Sequence, residues 1–197
     1  MSSLIKTLVL AANGFGLKVI LSDTVVRGLL GIQDDISRFP GWVQDIPLAR
    51  KVFGLQYSAL SYTLDWEEAF RAEPDLDVDL VNINNLVAYR SALRHIRDYD
   101  LIIILHSATG DSMRLLLKGI GSFQQRRGIL GVFIGNEYDI MDQKFHFLRN
   151  TSADYVFSQM PPDITALLYS DCPGVKAVSL PHGLNPRLYT PPPEGSP

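Results

Sequence analysis

Asn136, Glu137, Tyr138 and Asp139 stand together directly after the apolar run GILGVFIG at residues 128–135. An amide, two carboxylates and a phenol in that order could hydrogen-bond a ligand or move a proton. Other polar groups close other apolar runs: Gln56 and Tyr57 after RKVFGL, His106 and Ser107 after DLIIIL, Ser158 and Gln159 after DYVF, and His182 after VKAVSLP. An imidazole titrating near neutral pH at such a place can be a general base, a donor to an anion, or a satisfied structural group. His106 is the stronger catalytic candidate of that pair, whereas His95 and His146 fall inside helical stretches and read as surface or packing residues. The same residue types have ordinary uses too. Asn, Asp and Gly form turns and helix caps, and a polar residue after a strand also marks where a loop begins.

Several chemistries find no support. The chain has no HExxH, CxxC, GxSxG or Walker loop, so metal hydrolysis, dithiol redox chemistry, serine hydrolysis and P-loop phosphoryl transfer are not indicated, and no metal ligand set is expected. The single cysteine, Cys172, rules out an internal disulfide and a thiolate metal site and fits a reducing cytosol. A formal net charge of -3 and a pI near 5.8 provide no broad basic field, so no nucleic-acid partner is expected. With 197 residues, 46% hydrophobic and 20% charged, the chain has material for one full core.

The candidate residues need elements to position them. Short runs rich in Val, Ile and Phe suit strands buried on both faces of a parallel sheet, and six are predicted: 50–58, 78–83, 100–105, 128–135, 154–159 and 175–180. Between them lie helical patterns at 64–70, with Asp65 near the start and Pro74 as the stop, and at 86–97, with Leu86, Tyr89, Leu93 and Ile96 on one face. Further helices are predicted at 112–125, 145–150 and 163–169. Strands alternating with helices require crossover connections. The expected class is therefore α/β, a Rossmann-like, mostly parallel sheet with helices on both faces. Ligands of such sheets bind beyond the carboxyl ends of the strands, where the polar groups named above would fall.

Residues 4–32 are strongly apolar but interrupted by Lys6, Lys18, Asp23 and Arg27, and the longest uncharged stretch, 7–17, is too short to span a bilayer. A secretory signal also fits poorly, because no small-x-small site follows Gly14-Phe15-Gly16. The segment is predicted to form one or two amphipathic helices ending near Gly31, followed by an irregular link through Pro40, Gly41 and Pro47. This divides the chain into a helical extension at 1–49, a Rossmann-like domain at 50–189 and a proline-rich tail at 190–197. The helices of residues 1–32 would pack on the domain, on a second copy in a homodimer, or on a membrane surface. Asn13-Gly14-Phe15-Gly16 resembles a dinucleotide-binding loop, but Val19 stands where the third glycine of GxGxxG belongs. A nucleotide-dependent oxidoreductase would use that loop after a strand at 7–11.

The runs DLIIILHS at 100–107, GVFIGNEYD at 131–139, ADYVFSQMP at 153–161, the Leu168-Tyr169 pair and SLPHGLNPRLYTP at 179–191 together resemble the N-terminal half of bacterial GT-B glycosyltransferases. The resemblance covers about residues 50–191. Its most specific piece is LPHGLNP followed by an aromatic residue and Pro, similar to the segment that runs from the last N-domain strand into the interdomain linker. In that family two Rossmann-like domains face each other and the C-terminal one holds the nucleotide-sugar donor. The resemblance therefore implies an acceptor-side half, with the donor domain absent beyond residues 190–197 and no efficient transfer by the half alone. It implies transfer of a sugar to an acceptor hydroxyl of a glycan or other molecule, in the cytoplasm or at the inner face of the membrane. The nucleotide sugar would be a substrate, with no cofactor or metal. Carried over by position, His106 and Glu137 are the candidate base and acceptor anchor. Gln56, Tyr57, Ser107, Asn136, Tyr138, Asp139 and Gln159 are candidate acceptor contacts, and His182, Gly183 and Asn185 candidate hinge residues near the donor phosphates. A non-catalytic module that binds a glycan or a partner enzyme remains the rival reading.

Overall fold

A computed structural model describes residues 4–12, 42, 45–47 and 61–181. They form a six-stranded, all-parallel sheet. In chain order the elements are β1 (Ile5–Ala11), α1 (Ser61–Ala72), β2 (Leu76–Asn82), α2 (Leu86–Arg94), β3 (Leu101–Ile104), α3 (His106–Thr109), α4 (Arg114–Lys118), α5 (Ile120–Phe123), β4 (Ile129–Phe133), α6 (Met141–Thr151), β5 (Tyr155–Ser158), α7 (Pro162–Leu168) and β6 (Lys176–Ser179). The strand order is β2-β1-β3-β4-β5-β6. The expected α/β, Rossmann-like class is therefore the observed one.

Register explains why the runs are apolar throughout. Leu8 pairs with Ile102 and Leu10 with Ile104, these pair in turn with Leu130 and Val132, and Val132 with Val156. All seven face the larger core, where Tyr89, Phe123, Phe147 and Leu148 from the covering helices meet them. The intervening residues Val9, Ala11, Ile103, Leu105 and Phe133 point to the opposite face and a smaller core with Trp66 and Phe70 of α1. Trp66 lies 4.9 Å from Phe133, which stacks on Phe157 at 4.5 Å. A strand covered on both sides keeps no polar alternation, so its sequence is an unbroken apolar run.

Three expectations change. Residues 5–11, predicted as part of a helix, are β1, which pairs with β2 on one side and β3 on the other. Its residues 7–11 are all buried, so the run carries no period of two by which to tell it from a helix. The sheet domain consequently begins before residue 50, and the helical extension does not reach back over 5–11. The helix predicted at 112–125 is two short ones, α4 and α5, divided at Gly119, where a Cβ would meet the Tyr89 hydroxyl at 2.8 Å, Phe123 at 3.1 Å and Leu93 at 3.2 Å. The helix predicted at 145–150 starts earlier, at Met141, once the chain leaves the left-handed conformation of Ile140. The predicted strand at 50–58, the helices to Gly31 and the tail at 190–197 lie outside the described residues. Among the described residues no helix is long and apolar enough to cross a membrane.

Candidate functional site

With this strand order, β1 is followed in the chain by its neighbour on one side and β3 by its neighbour on the other, so the topological switch point falls between their carboxyl ends. There the Ala12 N–H donates to the Ser107 hydroxyl at 3.1 Å, tying the two strand ends together. His106 opens α3 and is almost fully buried, at 3% exposure. Beside β1, the β2 end carries Asn82 and Asn85, both buried. Asn82 accepts from the Asn84 N–H at 3.0 Å, and Asn85 caps α2 by accepting from the Ala88 N–H at 3.2 Å. These are turn and cap bonds, the ordinary use of such amides beside a helix start.

The next strand end is the most heavily built. Thr109, fully buried, donates to the Phe133 carbonyl at 2.7 Å and accepts from the Gly135 N–H at 2.9 Å. That clasp draws the end of β4 onto α3, and a Cβ on Gly135 would lie only 2.5 Å from the His106 carbonyl oxygen. Glycine is required there by the close approach of two backbones. The chain then curls. Asn136 and Ile140 both have positive φ, 49° and 45°, and the Asp139 N–H donates to the Asn136 carbonyl at 2.9 Å.

At the centre of the curl is Lys144, fully buried. Its ammonium donates to the carbonyls of Gly135 at 2.5 Å, Asn136 at 2.9 Å and Asp139 at 2.9 Å, one acceptor for each N–H. Burial pulls its proton affinity below the ordinary lysine value, and the Asp139, Glu137 and Asp111 carboxylates pull it back up. Asp111 also accepts from the Asn136 side-chain amide at 2.9 Å.

Glu137 looks the other way along the edge, toward β5. One of its oxygens accepts from the buried Tyr169 hydroxyl at 2.6 Å, and the other from the Gln159 N–H at 3.2 Å. Burial, then the bond to Glu137, holds the Tyr169 phenol well above its ordinary value. The following turn is closed around one oxygen: the Met160 carbonyl accepts from Thr165 at 2.9 Å and Ser179 at 2.7 Å.

Of the residues selected from sequence, the structure gathers Asn136, Glu137, Tyr138 and Asp139 into one loop and joins Glu137 to Gln159 through the latter's backbone. Ser107 joins β1 instead, and His106 sits under Gly135. Tyr138 projects into solvent, 84% exposed. Gln56, Tyr57, His182, Gly183 and Asn185 lie outside the described residues. Sequence reading missed Lys144, Thr109 and Tyr169. Lys144 had a legible signal: with Phe147, Leu148 and Thr151 it forms an i, i+3, i+4, i+7 stripe, which places a lysine on the buried face of α6. Thr109 carried none, and Tyr169 entered only through the Leu168-Tyr169 pair of the resemblance, because their partners lie 24 and 32 residues away in the chain.

The arrangement suits binding a ligand that offers hydroxyls. Carboxylates and an amide rim the β4 loop, and an aromatic ring stands free above it. Among the described residues no three His, Cys, Asp or Glu side chains group to hold a metal ion. No family model matches the chain, and no curated protein or solved structure matches it.

Proposed function

We propose that this chain is the acceptor-binding half of a glycosyltransferase, which moves a sugar from a nucleotide-sugar donor to an acceptor hydroxyl. One observation carries the reading: the loops after β3, β4 and β5 meet at one carboxyl edge, and the β4 loop among them is pinned from beneath and polar above. The resemblance of residues 100–107, 131–139, 153–161 and 179–191 to GT-B N-terminal halves supports it. In this reading the acceptor lies along the edge beside Asn136, Tyr138, Asp139 and Gln159. Glu137, with both oxygens occupied, is the anchor that sets the loop against β5. His106, at the end of β3, is the base candidate for an inverting transfer, and a retaining transfer would leave that proton to the departing phosphate. The donor would be held by a second Rossmann-like domain, with His182, Gly183 and Asn185 at the hinge.

A second reading, a nucleotide-dependent oxidoreductase, is favoured by one observation: β1 is a central strand, paired with β2 and β3, and Asn13-Gly14-Phe15-Gly16 follows it in the sequence. Val19 in place of the third glycine weighs against it. Calorimetric titration of the 197-residue chain with short glycans, nucleotide sugars and NAD separates the two. Glycan binding without nucleotide binding is expected. Tight binding of NAD or of a nucleotide sugar would overturn the acceptor assignment.

A further inference from the structure

Tyr138 is the most exposed large apolar side chain among the described residues, yet it does not sit on a frayed segment. The backbone on either side is held by three lysine hydrogen bonds, by the Thr109 clasp and by an internal turn. An aromatic ring held out on a fixed backbone loses little conformational entropy when something settles on it. The surroundings narrow what that something is. Glu137 and Asp139 flank Tyr138 and Asp111 is bonded to the Asn136 amide, three acidic side chains about a loop whose one cation is the buried Lys144, so a phosphate- or sulfate-bearing group would be repelled. An acyl chain or apolar peptide would cover a single ring and leave charged carboxylates to be desolvated. A neutral pyranose fits both halves: its polarised C–H face meets the electron-rich face of the phenol, and its hydroxyls donate to carboxylate oxygens.

We propose that the 135–139 loop is a platform for a neutral sugar ring, which stacks on Tyr138 and donates its hydroxyls to Asp139. This rests on reading the carboxyl edge as an acceptor site and adds to it that the acceptor is itself a saccharide without anionic substituents. The test is amide NMR on the full chain, titrated with methyl glycosides of glucose, galactose, mannose and N-acetylglucosamine, and with glucose 6-phosphate. The amides of residues 135–140 are expected to move with at least one neutral glycoside and to move less with the phosphate at low ionic strength. Tyr138→Ala is expected to weaken that binding about tenfold and Tyr138→Phe to leave it within about twofold, the ring face being common to Phe and Tyr. Because the ring is solvent-exposed, both variants should keep the wild-type spectrum elsewhere. Glycoside binding unaltered in Tyr138→Ala would overturn the platform and leave the acceptor reading standing. Tighter binding of glucose 6-phosphate than of the glucoside would overturn the neutral acceptor. Binding of none of the glycosides would overturn the platform and the acceptor reading together.

Discussion

The two edges of the sheet each set a cation among backbone carbonyls, and they use it differently. At the amino edge Arg126 donates to the carbonyls of Phe123 at 3.0 Å, Thr151 at 2.6 Å and Ser152 at 2.6 Å, and to the Asp154 carboxylate at 3.0 Å. Those acceptors belong to the ends of α5 and α6 and the approach to β5, so one guanidinium joins three elements. Asp154 extends the joint by accepting from the Leu130 N–H at 2.8 Å, as Asp100 does from the Lys6 N–H at 3.1 Å one strand pair away. At the carboxyl edge Lys144 collects three carbonyls of a single loop. A planar fork with fixed directions suits bridging separate elements, whereas a compact ammonium suits the centre of a curl. The amino edge is thus built to hold the fold, and the carboxyl edge to hold the shape of one loop.

Substitutions can break or sharpen that contrast. Arg126→Leu should have the largest effect, a loss of about 3 kcal/mol in urea unfolding, because four acceptors lose a donor and Asp154 loses its ion pair. Protection of amides across the sheet should fall together. Lys144→Met should cost less, about 2 kcal/mol, since part of the loop can turn its carbonyls to water. Its signature is local: hydrogen exchange should accelerate at residues 135–140 before the rest of the sheet, and glycan binding should weaken even where the protein remains folded. Equal and uniform loss in both variants would end the distinction between the edges.

The smallest effect concerns Tyr169. Its phenol is held protonated in the folded chain above the ordinary value near 10.0, while an unfolded chain releases the proton there. A raised folded value means that this contribution is complete below pH 10 and is lost as pH rises above it. Tyr169→Phe should therefore cost about 1 kcal/mol near neutral pH, from the lost bond to Glu137, and should flatten the fall in stability between about pH 10 and 11. Urea midpoints measured across that range decide it. An unchanged slope would mean that the phenol gives up its proton as readily in the folded chain as in the unfolded one.

Much of the fold was legible because it is written locally. The runs at 100–105, 128–135, 154–159 and 175–180 correspond to β3 to β6, and the stripe of Leu86, Tyr89, Leu93 and Ile96 to α2 and the turn after it. The run at 5–11 was read as a strand, over 7–11, only in the oxidoreductase alternative; the main reading made it helical, since a central strand buried on both faces shows no alternation and nearby charges at Lys6 and Lys18 imitate an amphipathic helix.

What the sequence determined by itself is the list of elements and the polar group at the end of each, because apolar period and helix stops depend on neighbours in the chain. The tertiary structure alone decided which ends become adjacent. The strand order makes β1 the partner of β3, puts Ala12 against Ser107, sets Thr109 under Gly135 and brings Tyr169 to Glu137. It also turned Lys144 from a charge on a helix into the centre of a loop, since only the packing of α6 on the sheet removes that ammonium from water and leaves backbone carbonyls as its partners.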